Sequence, residues 1–235
     1  MPRFKKENGK YYTPPEISRI LKLKKGKPKF KVLYEPKLAF ASGNTRTYKK
    51  ENFVVSIVDD KKYETLFLYT NLDKDAIINS YENELRENIY FVISYNEKIN
   101  LPSMDKVFFE LDQTKVYWKS WCYKTPTFQE YNNEILRSAM TLKLLNYEKT
   151  GAIIAAATTS IPESIGEVRN WDYRFCWIRD ASMVIKVISK IGHTKMVKNF
   201  IDFILNIIPD KNEKLQIMYG ISGEKNLTEK TLDYL

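Results

Sequence analysis

Two apolar repeats at helical spacing, set back to back, constrain most strongly what this chain can fold into. Met183, Val184, Val187, Ile188 and Ile191 recur at i, i+1, i+4, i+5 and i+8, which marks a helix with one buried face. Gly192 follows where a left-handed helix stop belongs, and Thr194 can cap the next helix. Met196, Val197, Phe200, Ile201, Ile204, Leu205 and Ile208 then repeat the pattern until Pro209 stops it. Two such helices joined by a tight turn form an αα-hairpin.

Upstream of residue 104 the chain reads instead as short antiparallel strands. Ile17–Lys24 and Lys29–Tyr34 flank Lys25-Gly26-Lys27-Pro28, a hairpin-like turn. Phe53–Val58 and Tyr63–Tyr69 flank Asp59-Asp60-Lys61-Lys62, and further strands are expected at Ala76–Asn83 and Ile89–Tyr95. Strands at this spacing, rich in β-branched and aromatic residues, suggest a sandwich. After the switch, Asp112–Cys122 carries Val116, Trp118, Trp121 and Cys122 at mixed helical spacing. Thr127-Phe128-Gln129-Glu130 has the form of a capping box opening a helix to about Leu145. Gly151–Glu163 and Leu215–Ser222 read as strand or extended loop, and Leu227–Leu235 as a short polar helix. The expected fold is α+β and multidomain: a sandwich-like domain over 1–103, a linker with a helix over 104–127, and a helical domain over 128–235.

Composition narrows the functional classes. The 235 residues are 43% apolar, enough for real cores, and no run of 18 apolar residues exists to span a membrane. The basic start Met1-Pro2-Arg3-Phe4-Lys5-Lys6 is not followed by an apolar stretch, so no secretory signal is expected. Cys122 and Cys176 are expected as reduced, packed thiols of a cytoplasmic protein. The net charge of +9 raises the question of nucleic acid. Residues 1–50 hold 15 Lys or Arg against 3 Glu, a net +12, so the remainder sums to −3. In that basic segment Lys29, Lys31 and Leu33 share one strand face while Phe30, Val32 and Tyr34 share the other. The pattern reads as a solvated sheet face protected from edge pairing, and nucleic-acid binding is disfavoured.

The block with most chemistry is Arg169-Asn170-Trp171-Asp172-Tyr173-Arg174-Phe175-Cys176-Trp177-Ile178-Arg179-Asp180. Aromatic faces stack on the C–H side of a sugar, while Asp and Arg hydrogen-bond its hydroxyls. The same composition also suits a helix-capping cluster held by internal ion pairs. His193, the only histidine, sits in a turn and is expected to face solvent. No metal or cofactor is expected, since CxxC pairs, glycine-rich phosphate loops and triad signatures do not occur.

Taken with Ala155-Ala156-Ala157-Thr158-Thr159-Ser160-Ile161-Pro162-Glu163 before it and Ala181-Ser182 after it, this block resembles the start of the catalytic barrel of the glucoamylase family, glycoside hydrolase family 15. It is most similar to the archaeal and bacterial members, glucoamylases and trehalases. The resemblance implies a partial β-sandwich followed by the first helices of an (α/α)₆ barrel. It implies that Tyr173–Asp180 forms the −1 subsite, which holds the non-reducing-end glucose. Arg179 and Asp180 would hold the 4-OH and 6-OH, Trp177 would support the wall, and Tyr173 would lean over the scissile carbon. Trp171 and Asp172 would support the loop. Met218-Tyr219-Gly220-Ile221 is similar to a family segment on the barrel face.

Family members invert the anomeric carbon with two glutamates about 6.5–9.5 Å apart. Both lie later in the family's barrel, so the general acid and base are expected beyond residue 235. Glu163, Glu167, Asp172 and Glu224 match neither. The resemblance therefore implies release of glucose from α-glucan ends by a chain that needs the rest of the barrel, from a second chain. The alternatives are a trehalase of the same family, an inactive truncated remnant, or, least favoured, a basic nucleic-acid-binding protein.

Overall fold

The computed structural model describes residues 1–59, 64–157, 165–167, 171–208 and 214–228. They fall into two compact units, Met1–Lys119 and Ser120–Lys230. The first opens with β1 (Phe4–Lys5) and β2 (Tyr11–Tyr12), paired with each other. Then come β3 (Glu16–Leu21), β4 (Lys29–Lys31), β5 (Thr45–Lys49), β6 (Val54–Val58) and β7 (Thr65–Thr70). A short helix α1 (Lys74–Ile78), β8 (Glu82–Glu84), β9 (Ile89–Tyr95) and helix α2 (Met104–Cys122) as far as Lys119 complete it. The main sheet is antiparallel, in the order β3-β9-β7-β6-β5.

Both faces of this sheet are covered, so β6 and β9 read as near-continuous apolar runs. On one face Tyr69, Tyr90 and Val92 pack with Val107 of α2. The polar tips there are satisfied: Tyr90 Oη donates to the Pro102 carbonyl at 2.6 Å, and Tyr69 Oη accepts the Ile99 N–H at 3.0 Å. On the other face Val54, Leu68 and Ile77 pack with Val32, Tyr34, Phe91 and Ile93. The expected alternation over 29–34 holds, with Lys29, Lys31 and Leu33 exposed. Lys29 meets Glu82 of the neighbouring β8 at 2.9 Å, so acidic groups answer part of the lysine face.

Two strand expectations fail here. β3 and β4 do not form a hairpin: β3 pairs along its whole length with β9, and β4 pairs with β8. Both ends of their connection are tied to the 85–88 segment, Leu23 N–H by Asn88 Oδ1 and the Pro28 carbonyl by Leu85 N–H. Ala76–Asn83 is not a strand either. Asp73 Oδ1 accepts the Asp75 N–H at 3.1 Å and starts α1, and Ser80 in the left-handed region (φ 52°) ends that turn before β8. The β6–β7 pairing and the bounds of β9 agree with the sequence reading.

The second unit holds α3 (Asn132–Leu144), β10 (Cys176–Trp177), α4 (Ile178–Lys190), α5 (Thr194–Ile207) and β11 (Met218–Tyr219). The supposed capping box at 127–130 is overruled: Asn132 Oδ1 takes the Phe128 N–H, and the chain enters α3 through a left-handed Tyr131 (φ 54°). The αα-hairpin of α4 and α5 forms as expected. Gly192 (φ 85°) and the following residue donate to the Ser189 and Ile188 carbonyls, closing α4. Thr194 supplies no cap; it is the first residue of α5, after His193. Pro209 lies outside the described residues, as does all of the helix expected over Leu227–Leu235 except residues 227–228, which are not helical.

The buried faces of the hairpin differ from the expected ones. Ala181, Ile188, Ile191, Met196, Phe200, Phe203 and Ile207 form the core with Ala152, Ile153, Cys176 and Tyr219. Met183, Val187, Ile201 and Leu205 point outward and are 48–65% exposed. Each helix carries two neighbouring apolar stripes, and periodicity alone does not say which one meets the core.

His193 is a further correction. It is 7% exposed and lies flat on Trp121, with ring centroids 3.8 Å apart and planes 3° from parallel. Its Nε2 bonds Thr125 Oγ1 at 2.8 Å. Burial first, then the Lys143 and Lys124 charges, hold its imidazole below the ordinary histidine value. The unfolded chain then takes up a proton at about pH 6.5 that the folded unit refuses. Stability of this unit falls as pH drops below that point, and His193→Gln is expected to flatten the fall between pH 7 and 5 in thermal melts followed at the helical band. An equally steep fall in the variant would show that His193 is not its source.

Candidate functional site

The 171–180 loop is built by clamping on both sides. Tyr173 and Phe175 carbonyls accept the Ala156 and Ala155 N–H groups at 2.9 and 3.1 Å. On the other side Cys176 pairs with Tyr219 and Trp177 with Met218, and the Ile178 N–H reaches the Ile217 carbonyl at 3.1 Å. Cys176 has no exposed surface and anchors the loop in the core. Its thiol is free, like that of Cys122, and burial pushes both thiols up. These are inert packing groups rather than nucleophiles.

Four expected site residues come together at the end of this loop and the first turn of α4. Tyr173 and Trp177 rings lie 6.3 Å apart at 32°. The Arg179 guanidinium sits 5.6 Å from the Trp177 ring centroid, within cation–π range. Arg179 also lies 3.1 Å from Asp180 Oδ2, so the ion pair that a capping cluster would hold is present. It does not satisfy the site. Trp177 Nε1 and Asp180 Oδ2 are both buried with no hydrogen-bond partner among the described residues, one a donor and one an acceptor. Buried polar atoms are normally paired, and exceptions need an explanation.

Trp171 stays outside this group: it is 42% exposed and makes no ring contact with it among the described residues. Asp172 points elsewhere, to Arg174. Its carboxylate accepts Arg174 Nε at 3.1 Å, a terminal nitrogen at 2.8 Å and the backbone N–H at 3.0 Å. Burial acts against the Asp172 charge, but the Arg174 side chain, N–H and charge outweigh it and hold the carboxyl below its ordinary range. This forked pair links the residues on either side of Tyr173. Arg174 was not singled out from the sequence, because nothing in its spacing distinguishes a fork to i−2 from a sugar contact. Likewise the Met218–Tyr219 pairing, which gives that segment its part in the site, is a long-range contact.

Of the other carboxylates, Glu224 Oε2 accepts the Ser222 N–H at 3.0 Å, Glu167 is exposed, and Glu163 lies outside the described residues. Among the described residues no group of three or more His, Cys, Asp or Glu is placed to hold a metal, and no helix is long and apolar enough to cross a membrane.

The family model for glycosyl hydrolases family 15 matches residues 129–234, which include this whole site. The helical segment belongs to glycosyl hydrolase family 15. Relatives extend the likeness upstream of that segment. A protein named trehalase from Thermoplasma acidophilum is 27% identical over 222 residues, 94% of this chain and 38% of that protein. The trehalase of Thermoplasma volcanium is 34% identical over 163 residues, 69% of this chain and 26% of its own length. The trehalase of Mycobacterium tuberculosis is 33% identical over 156 residues, 63% of this chain and 22% of its own. The chain thus spans between 22% and 38% of the length of these curated relatives. The family 15 segment carries the aromatic and charged loop on a helix start, clamped from both sides as described above.

Proposed function

We propose that the 171–180 loop is the glucose-holding wall of a glycoside hydrolase acting on trehalose. The observation that carries this reading is the buried Trp177 Nε1, without a hydrogen-bond partner among the described residues, beside the Tyr173–Trp177 wall and an Asp180 Oδ2 met there by the Arg179 charge but by no hydrogen bond. A sugar supplies an acceptor for the first, a hydroxyl donor for the second and a C–H face for the rings. Arg179 and Asp180 grip the 4-OH and 6-OH, and Tyr173, between the two residues of the Asp172–Arg174 fork, leans toward the scissile carbon. Trp171 has a supporting part only.

Trehalose is placed ahead of α-glucan ends because the matched relatives bear the name trehalase. The two substrates present the same glucose to this wall and differ on its far side. In this reading the reaction inverts the anomeric carbon, and neither Asp172 nor Glu224 is its acid or base. Both are engaged in holding their own loops. The two catalytic carboxylates come from elsewhere in the working enzyme, and the helices here contribute to its (α/α)₆ barrel.

Titrating the 235-residue chain with trehalose and with maltotriose, followed by tryptophan emission, tests the proposal. Asp180→Ala is expected to weaken binding roughly 10- to 150-fold, the range for a lost hydrogen bond to a charged group of about 1.5–3 kcal/mol, with the helical signal unchanged. Trehalose is expected to bind more tightly than maltotriose. Saturable binding of equal strength in wild type and variant would remove the wall from the site, and a chain that binds neither sugar would end the reading.

A further inference from the structure

Two carboxyl groups in the first unit lie out of water with little cationic charge to match them. Glu16 of β3 is 2% exposed and Glu110 of α2 is 6% exposed. Glu16 shares its strand face with Ile20, which packs in the cluster under α2, so both side chains belong to the layer between sheet and helix. An ionised carboxylate is costly to bury unless a cation and hydrogen bonds meet it. Lys106 Nζ stands 3.8 Å from Glu110 Oε1, at the limit of ion-pair range, and is largely exposed. Tyr12 Oη of β2 donates to the same oxygen across 3.5 Å. Among the described residues, Glu97 from the segment after β9 and the amine of Met1 also act on the pair.

The balance therefore favours a proton. Burial raises both carboxyls above the ordinary glutamate range. The Glu110 and Glu97 charges raise Glu16 further, while Lys106 and the N-terminal amine oppose. The Tyr12 hydroxyl is raised as well, by burial and then by the Glu16 and Glu110 charges.

The same layer is where the start of the chain docks. Among the described residues β1 and β2 pair only with each other, and α2 supplies contacts that hold them. The Arg3 N–H donates to Thr114 Oγ1 at 3.1 Å, and the Arg3 guanidinium lies over the Tyr117 and Trp118 rings. Phe4 meets Phe109, and Tyr11 meets Tyr117, edge to face.

We propose that Glu16 and Glu110 form a proton-operated latch, which holds the N-terminal strands against α2 while the pair carries a proton and loosens them when both carboxyls ionise. The sign follows from linkage. The docked form binds protons more tightly than the undocked one, so docking is firm below the ordinary glutamate value of about 4.3. It weakens as pH rises through the raised values.

Hydrogen–deuterium exchange of the full chain, corrected for the intrinsic pH dependence, reads the latch directly. Protection of amides in residues 3–21 is expected to fall about tenfold or more between pH 5 and 7.5, while β6 and β7 keep theirs. Glu16→Gln with Glu110→Gln is expected to abolish that fall. Wild-type protection of residues 3–21 that stays level across this range, or a fall of the same size in the double variant, overturns the proposal. Should the double variant fail to fold, carbon-13 NMR of glutamate carboxyls in the wild-type chain serves instead. Two carboxyls titrating above all the others support the latch, and a complete set in the ordinary range refutes it.

Discussion

Gly151→Ala is expected to cost the helical unit about 4 kcal/mol of stability. Gly151 has φ 90°, where an alanine is strained, and a Cβ built there would lie 2.2 Å from the Asn199 carbonyl oxygen and 2.6 Å from its carbon. Those are backbone atoms in the middle of α5, so no side chain can swing aside. Either the 146–153 turn lifts or α5 shifts, and α5 carries Phe200 and Phe203 of the core. Left-handed strain costs about 1–2 kcal/mol and overpacking about 1–3 kcal/mol or more. Together they approach ~4 kcal/mol, against a total of about 5–15 kcal/mol for a domain. Gly192→Ala is the control. Its φ is 85°, but the nearest atom to the added carbon is the Lys124 oxygen at 3.8 Å, so only the strain should register. Urea unfolding followed at the helical band separates the two, and equal costs would show that the close approach of the turn to α5 is absent.

Glu148→Ala is expected to cost nearly as much, for a different reason. Lys143 near the end of α3 is buried, its side chain 5% exposed, and its ammonium lies 2.7 Å from Glu148 Oε2 and 3.2 Å from Asn146 Oδ1. Asn146 Nδ2 passes the connection on to the Gly151 and Ala152 carbonyls at 3.1 and 3.3 Å. Removing Glu148 leaves a cation in the interior without that counter-charge, which costs about 3–5 kcal/mol. Replacing both partners by apolar residues, Lys143→Met with Glu148→Leu, should restore most of the loss. Thermal melts of the two single variants and the pair measure the coupling. A single variant within about 1 kcal/mol of wild type would mean that water reaches the ammonium.

What could be read from the sequence depended on how local each feature was. β9 and the β6–β7 pair were legible because their strands neighbour one another or keep a clean apolar run. β3 was assigned to the wrong partner because β9, some seventy residues on, leaves no mark beside it. α1 was missed because the Asp73 cap, three residues ahead of the apolar pair Ala76–Ile77, outweighed the strand-like alternation. In the αα-hairpin the helices were plain, yet Phe203 and Ile207 took the core positions expected for Ile201 and Leu205. At the site, Tyr173, Trp177, Arg179 and Asp180 came from an unusual run of residue types. The parts that hold them, the Arg174 fork, the Cys176 anchor and the Met218–Tyr219 clamp, depend on contacts that only the folded chain makes.

The Trp121–His193 stack gives the molecule an optical property of its own. An imidazolium in van der Waals contact with an indole accepts an electron from its excited state, whereas the neutral ring does so poorly. Because the two rings are parallel with centroids 3.8 Å apart, the emission of Trp121 should dim when His193 gains its proton within the stack. Acid titration of native fluorescence, set beside the same curve for Trp121→Phe, turns one buried contact into an optical reporter of a single protonation.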